Sequence, residues 1–129
     1  MKSIHELIAE AEAEIEALSV EQAKALLSDE NTVIVDLRDV RELWREGKIP
    51  GALHAPRGML EFWLAPDSPY HRDIFASGKR FVFYCAMGWR SALAAQTAQR
   101  MGLQPVCHIA GGFKAWTEAD QPVVQVEKK

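Results

Sequence analysis

From the amino end, apolar side chains recur at Ile4, Leu7, Ile8, Ala11, Ile15 and Leu18, with glutamates at 6, 10, 12, 14 and 16 between them. That 3.6-residue period predicts an acidic amphipathic helix over residues 1–18. Its apolar stripe either covers the domain's own sheet or pairs with a second copy as a homodimer. Ser19-Val20-Glu21-Gln22 then restarts the pattern. A serine followed three residues later by glutamine is a capping box, in which each side chain satisfies a backbone N–H of the other. The helix it opens has Ala23, Leu26 and Leu27 inward and should end near Ser28-Asp29.

The period then shortens. Thr32-Val33-Ile34-Val35 is a continuous β-branched run, which suits a strand covered on both faces. A short helix through Glu42 and Trp44 follows, stopped by Gly47 and Pro50-Gly51. Ala52-Leu53-His54-Ala55 reads as a second short strand. Residues 57–79 read as a helix at Met59–Leu64, a polar loop with Pro66 and Pro69, and another helical turn. Phe81-Val82-Phe83-Tyr84 is the clearest strand, and it runs through Cys85-Ala86-Met87-Gly88-Trp89-Arg90 into an Ala-rich helix from Ser91 to Met101. Gly102 closes that helix. Pro105–Ile109 is a further strand, and Gly111-Gly112 leads into a last helix around Phe113–Ala119. Strands alternating with helices at this spacing predict an α/β fold with a mostly parallel sheet.

Composition narrows the function. A chain of 129 residues, 48% hydrophobic and 26% charged, supports one soluble globular domain. Fifteen basic against eighteen acidic residues give a net charge of −3, which argues against a nucleic-acid partner. The four histidines at 5, 54, 71 and 108 are scattered, and Cys85 and Cys107 lack zinc-site spacing, so no metal is expected. Two cysteines are also too few for a disulfide framework. No apolar run is long enough to span a membrane, and the acidic first segment lacks the apolar stretch of a signal peptide. The expected location is cytoplasmic, with both thiols reduced.

One cysteine is placed for chemistry. In a parallel sheet, ligands bind beyond the carboxyl ends of the strands, where loops lead into helices. Cys85 sits at such an end, before a short loop relaxed by Gly88. Loop N–H groups converging on sulfur, a helix N-terminus and the charge of Arg90 are conditions that hold a cysteine as its thiolate nucleophile. Cys107, flanked by Val106 and His108 within a strand, reads as core, with a resolving thiol as the alternative. His54 and His108 read as structural. Asp36 and Arg38 read as a strand-end ion pair with Glu42 nearby, a network that holds the turn rather than doing chemistry; lining the pocket is the alternative.

At these residues the chain resembles the single-domain rhodanese-like sulfurtransferases. The pieces are Val33-Ile34-Val35-Asp36-Leu37-Arg38 with Glu42, Gly47-Lys48-Ile49-Pro50-Gly51-Ala52, Cys85-Ala86-Met87-Gly88-Trp89-Arg90-Ser91, Gly111-Gly112-Phe113-Lys114-Ala115-Trp116 and Pro122-Val123. The resemblance implies a rhodanese-like fold over residues 19–126: a five-stranded, mostly parallel sheet with helices on both faces, preceded here by the extra helix. It implies Cys85 as a catalytic nucleophile carrying a persulfide. Ala86, Met87, Gly88, Trp89 and Arg90 are then the substrate-binding cradle, and no cofactor is needed. Trp116 is expected to pack in the core. Partners would be a small sulfur donor, such as thiosulfate or a persulfide, and a thiophilic acceptor: cyanide, a thiol or a persulfide-carrying protein.

Two positions depart from the family pattern. Lys48 stands where GHIPGA has histidine, a change expected to touch packing. Ala86 and Met87 stand where some thiosulfate-using members carry basic residues, so a protein persulfide or a larger thiol suits the loop equally well. Trp89 is expected at the mouth of the pocket, near the sulfur. Two other classes share features of this site. Dual-specificity-type phosphatases also run strand, Cys loop, Arg and helix, but with five residues between Cys and Arg, where Ala86-Met87-Gly88-Trp89 supply four. A non-catalytic rhodanese-like binding module would need neither Gly88 nor Arg90.

Overall fold

The β-branched and aromatic runs become strands in the computed structural model, which describes residues 1–128. In chain order the strands are β1 (Glu16–Leu18), β2 (Thr32–Asp36), β3 (Leu53–His54), β4 (Arg80–Tyr84) and β5 (Val106–Ile109). They form one sheet in the order β1-β5-β4-β2-β3, with every neighbouring pair parallel. The helices are α1 (Ile4–Glu14), α2 (Val20–Ala25), α3 (Val40–Glu46), α4 (Leu60–Leu64), α5 (Trp89–Arg100) and α6 (Gly112–Glu118). None is long and apolar enough to cross a membrane.

Alternation along the strands builds two cores. Phe81 and Phe83 of β4 and Val35 of β2 pack with Leu60 and Leu64 of α4 and Ala94, Ala95 and Ala98 of α5. Val82 and Tyr84 turn to the other face, joining Ile34, Ile109, Ala23 of α2, and Phe113 and Trp116 of α6. The alanines of α5 explain why an Ala-rich helix sits here: small side chains let its backbone lie close to the sheet. The capping box at Ser19 and Gln22 forms as expected, and Asp39 with Glu42 makes a second one at α3. Lys48 acts in packing: its backbone bridges to Val124, and its Nζ donates to the Ala52 carbonyl at 2.9 Å.

The first segment departs from expectation. The helix does not run to Leu18; it stops at Glu14, and Ile15 turns extended. Glu16–Leu18 is instead the edge strand, with Glu16 opposite Cys107 and Leu18 opposite Ile109. Three residues cannot distinguish a period of 2 from one of 3.6. The decision comes from β5, whose outer backbone groups need partners; the Ala110 amide donates to the Leu18 carbonyl at 2.9 Å. The apolar stripe of α1 is divided: Ile8 and Ala11 are buried, whereas Ile4 and Leu7 stay exposed. Gln99 and Arg100 of α5 bind the carbonyl and carboxylate of Glu14, fastening the end of α1.

A buried ion pair joins the layers beneath the carboxyl ends of the strands. Arg38 and Asp36 are both fully buried. The guanidinium donates to the Asp36 carboxylate at 2.8 and 3.0 Å and to the Gly47 carbonyl at 2.7 Å, with the Phe113 ring 4.2 Å from its centre. The Tyr84 hydroxyl donates to the same carboxylate and accepts from the Ile49 amide. Burial and that carboxylate push the Tyr84 phenol far up, so it remains a donor. Glu42 lies near enough to feel the Arg38 charge, as expected, but makes no hydrogen bond to the pair.

Two outcomes follow from this packing. Arg38→Met leaves Asp36 buried and uncompensated and should lower the unfolding free energy by about 3–5 kcal/mol. Urea denaturation measures it; Arg41→Met, at the exposed Asp39 pair, should show no comparable loss. Removing residues 1–14 uncovers the face of α5 and should lower stability by at least the roughly 1.5–3 kcal/mol attached to burying one isoleucine. Thermal denaturation of the truncated chain checks this.

Candidate active site

Cys85 follows β4 directly at the carboxyl edge of the sheet, as the sequence places it, and is buried. Backbone geometry shapes the loop that follows. Gly88 takes a left-handed conformation (φ +104°) at the N-cap of α5, which turns its own amide back toward the sulfur. The Gly88 amide donates to Cys85 Sγ at 3.2 Å, and the Ser91 amide does so at 3.3 Å. Both are among the groups that a helix N-terminus leaves unpaired, so the sulfur occupies the positive end of α5.

The carbonyls of the loop turn the other way. Cys85 O accepts from the Phe113 amide at 2.8 Å, and Ala86 O accepts from the Lys114 amide at 3.0 Å. The start of α6 thus holds the loop from behind. Gly112 makes the approach close enough: a Cβ there would lie 2.5 Å from the Cys85 carbonyl oxygen. A loop with carbonyls tied to α6 and amides facing sulfur is complementary to a negatively charged sulfur.

Of the residues expected in the cradle, only Gly88 gives an amide to Sγ. Ala86 and Met87 line a cavity of about 420 Å³ with Glu46, Phe113, Lys114 and Thr117, and Met87 is exposed. Trp89 also stands exposed, but its indole packs edge-on against His5 of α1 at 5.4 Å. Arg90 does not bind the sulfur. Its guanidinium makes two hydrogen bonds to Glu42, at 2.9 and 3.1 Å. Those bonds hold the Glu42 carboxyl below its ordinary range against the opposing effect of burial. Arg90 and Glu42 together tie α5 to α3 beside the loop.

Two contributors at the sulfur were missed from the sequence, which reads His108 as structural and gives Ser91 no role of its own. The Cys85 thiol donates to Ser91 Oγ at 3.6 Å, and Ser91 Oγ lies 2.8 Å from Nδ1 of the buried His108. The signal was the strand register: Phe83 of β4 pairs with His108 of β5, so His108 shares a face with Phe83 and Cys85 two residues on. Cys107 points to the opposite core, where burial pushes its thiol up to about 12. Trp116 is buried, with Nε1 donating to the Pro122 carbonyl, and His54 binds the Arg38 carbonyl; both are structural, as expected.

This fold and loop agree with a family match over residues 19–119 to the rhodanese-like domain. The chain belongs to the rhodanese-like family. A mouse "thiosulfate sulfurtransferase/rhodanese-like domain-containing protein 3" is 31% identical over 100 residues, covering 74% of this chain but only 64% of the mouse protein. The human thiosulfate:glutathione sulfurtransferase is 29% identical over 109 residues, covering 80% of this chain and 94% of its own. A solved structure from Rhodopseudomonas palustris CGA009, a protein of unknown function described as a possible tyrosine phosphatase, is 53% identical, with a TM-score of 0.93 over 96% of each chain.

Burial of the rhodanese-like domain's His108 has a measurable consequence. Burial lowers its basicity below the ordinary value of 6.5. Below about pH 6.5 the unfolded chain therefore takes up a proton that the folded chain refuses, so acidification destabilises the fold by up to about 1.4 kcal/mol per pH unit until His108 itself protonates. His108→Asn should flatten this part of the profile, measured by denaturant unfolding between pH 7 and about pH 5. Glu42 acts at lower pH, its stabilisation being complete above 4.5 and lost as its carboxyl protonates.

Proposed function

We propose that the protein is a sulfurtransferase in which Cys85 carries the moving sulfur as a persulfide. The observation that carries the reading is the Cys85 sulfur itself, buried at the start of α5 with two backbone amides aimed at it. Membership of the rhodanese-like family and the printed names of the mouse and human relatives support it. Two unpaired cysteines suit a reducing compartment such as the cytoplasm.

The reaction is a double displacement. The Cys85 thiolate attacks the outer sulfur of a donor; a bond to that sulfur forms as the donor's own bond to it breaks, and the donor remnant leaves with the electron pair. The Cys85 persulfide then meets a nucleophilic acceptor, which takes the terminal sulfur, and Cys85 departs as thiolate. Covalent catalysis of this kind splits one difficult exchange into two easier ones. The amides of Gly88 and Ser91 are fixed before reaction, so they stabilise the thiolate leaving group without reorganisation. The cavity lined by Met87, Phe113, Lys114 and Glu46 combines apolar surface with one charge of each sign. That mixture suits a thiol-bearing organic molecule or peptide as acceptor better than a bare inorganic anion, and of the two donors, thiosulfate or a persulfide, it favours an organic persulfide.

A second reading has its own support in the Rhodopseudomonas palustris structure and its description. Hydrolysis of a phosphate ester would require the loop to surround a tetrahedral phosphoryl group. Four residues separate Cys85 from Arg90, and Arg90 is engaged by Glu42, which fits one sulfur better.

One set of measurements decides between them. Incubation with thiosulfate or an organic persulfide should add the mass of one sulfur to Cys85, and cyanide or a thiol should remove it. Cys85→Ser should abolish loading and turnover, while Cys107→Ser keeps both. Steady aryl-phosphate hydrolysis lost on Cys85→Ser would establish the phosphatase instead. Neither activity, with no sulfur gained, would leave a binding module.

A further inference from the structure

His108 is the buried titratable group that the proposed reaction leaves unused. Its ring is enclosed, 2% exposed as a residue, on the face of β5 toward α5. Nδ1 lies 2.8 Å from Ser91 Oγ, and among the described residues no protein group hydrogen-bonds Nε2. Its Cε1 is 3.9 Å from the position a Cβ would take on Gly88. The imidazole is therefore within hydrogen-bond distance of Ser91 and faces the space beside Gly88, the two residues whose amides reach Cys85. The other charged or titratable groups around this corner are Arg90 with Glu42, His5 against Trp89 on α1, and Cys107 on the opposite face of β5.

We propose that His108 is a positioning residue that, through the Ser91 hydroxyl, sets a third hydrogen bond on the Cys85 sulfur. The proposal deepens the sulfurtransferase reading and rests on it for the reaction served. A neutral imidazole holds one proton, on either nitrogen. With the proton on Nε2, Ser91 donates to bare Nδ1, and the Cys85 thiol donates to Ser91. With the proton on Nδ1, the imidazole donates to Ser91 Oγ, and the serine proton is left to point at sulfur. The first arrangement matches the thiol and the second matches the thiolate.

Burial biases the choice. The first arrangement leaves an Nε2–H donor buried with no protein acceptor, while the second leaves only a bare ring nitrogen there, a less costly group to leave unpaired. Passing from the first to the second moves the sulfur proton to Ser91, the Ser91 proton to Nδ1 and the Nε2 proton to solvent water. The balance is one proton lost, one negative charge gained on sulfur, and an imidazole still neutral. The enclosure that disfavours the imidazolium thus serves the thiolate.

The test is alkylation of Cys85 by iodoacetamide across pH in the full-length chain, read by peptide mass so that Cys107 is counted separately. It requires no sulfur donor, so its result stands whether or not sulfur transfer is the reaction. His108→Leu and Ser91→Ala should each slow alkylation at pH 7 by about tenfold, the loss expected when one hydrogen bond to a charged acceptor disappears. The deficit should shrink as pH rises, because hydroxide then removes the sulfur proton without help from Ser91 and His108. His108→Asn, whose amide can donate to Ser91 Oγ, should recover most of the rate. The double variant should be no slower than the slower single one. Parental rates in His108→Leu at pH 7, or a deficit equal at every pH, would overturn the proposal. Should His108→Leu fail to fold, parental rates in Ser91→Ala would overturn it equally.

Discussion

The guanidinium of Arg38 is the constraint on which the surroundings of Cys85 depend. It is a full charge without solvent, so each neighbour must compensate it: Asp36 at the end of β2, the Gly47 carbonyl closing α3, and the ring of Phe113 at the start of α6. Tyr84, the residue before Cys85, hydrogen-bonds the same carboxylate. Removing either charge of the Asp36–Arg38 pair leaves the other buried and unmet, at a cost several times that of an ordinary contact. Three elements that frame the loop are thereby held in one register.

The loop uses that framework to separate its donors from its acceptors. Carbonyls of Cys85 and Ala86 are consumed by the first turn of α6, and amides of Gly88 and Ser91 remain for the sulfur. Neither arrangement survives without glycine: Gly112 permits the backbone approach, and Gly88 supplies the reversed turn. Charge near the site is handled separately. Arg90 directs its hydrogen bonds to Glu42, so the two N–H groups in contact with sulfur are dipoles fixed by the backbone, with the Ser91 hydroxyl beside them. Fixed dipoles suit a nucleophile that must also leave, because they neither follow it nor need to reorganise.

Much of this was legible in the residues. Runs such as Phe81–Tyr84 and Thr32–Asp36, and the caps at Ser19 and Gly102, are local signals whose meaning does not depend on distant chain. Cys85 could be singled out because strand, glycine, arginine and helix follow within a few residues. The exchange of partners between Glu42, Arg38 and Arg90 was not legible. Three charges within reach of one another can pair in several ways, and burial decides which. Glu16–Leu18 was misread for a related reason: a three-residue strand carries almost no period, and only the open edge of β5 makes it a strand.

By itself, the sequence determined the alternating α/β order, the parallel sheet, the position of Cys85 at a strand end and the family resemblance, since these rest on period, turn chemistry and short motifs. The tertiary structure alone decided which amides face the sulfur, that Arg90 turns to Glu42, and that His108 reaches Ser91. Those are contacts between residues on different elements. Their geometry is set by sheet register and helix docking, and the energies that select them come from burying polar groups, which no local stretch of sequence encodes.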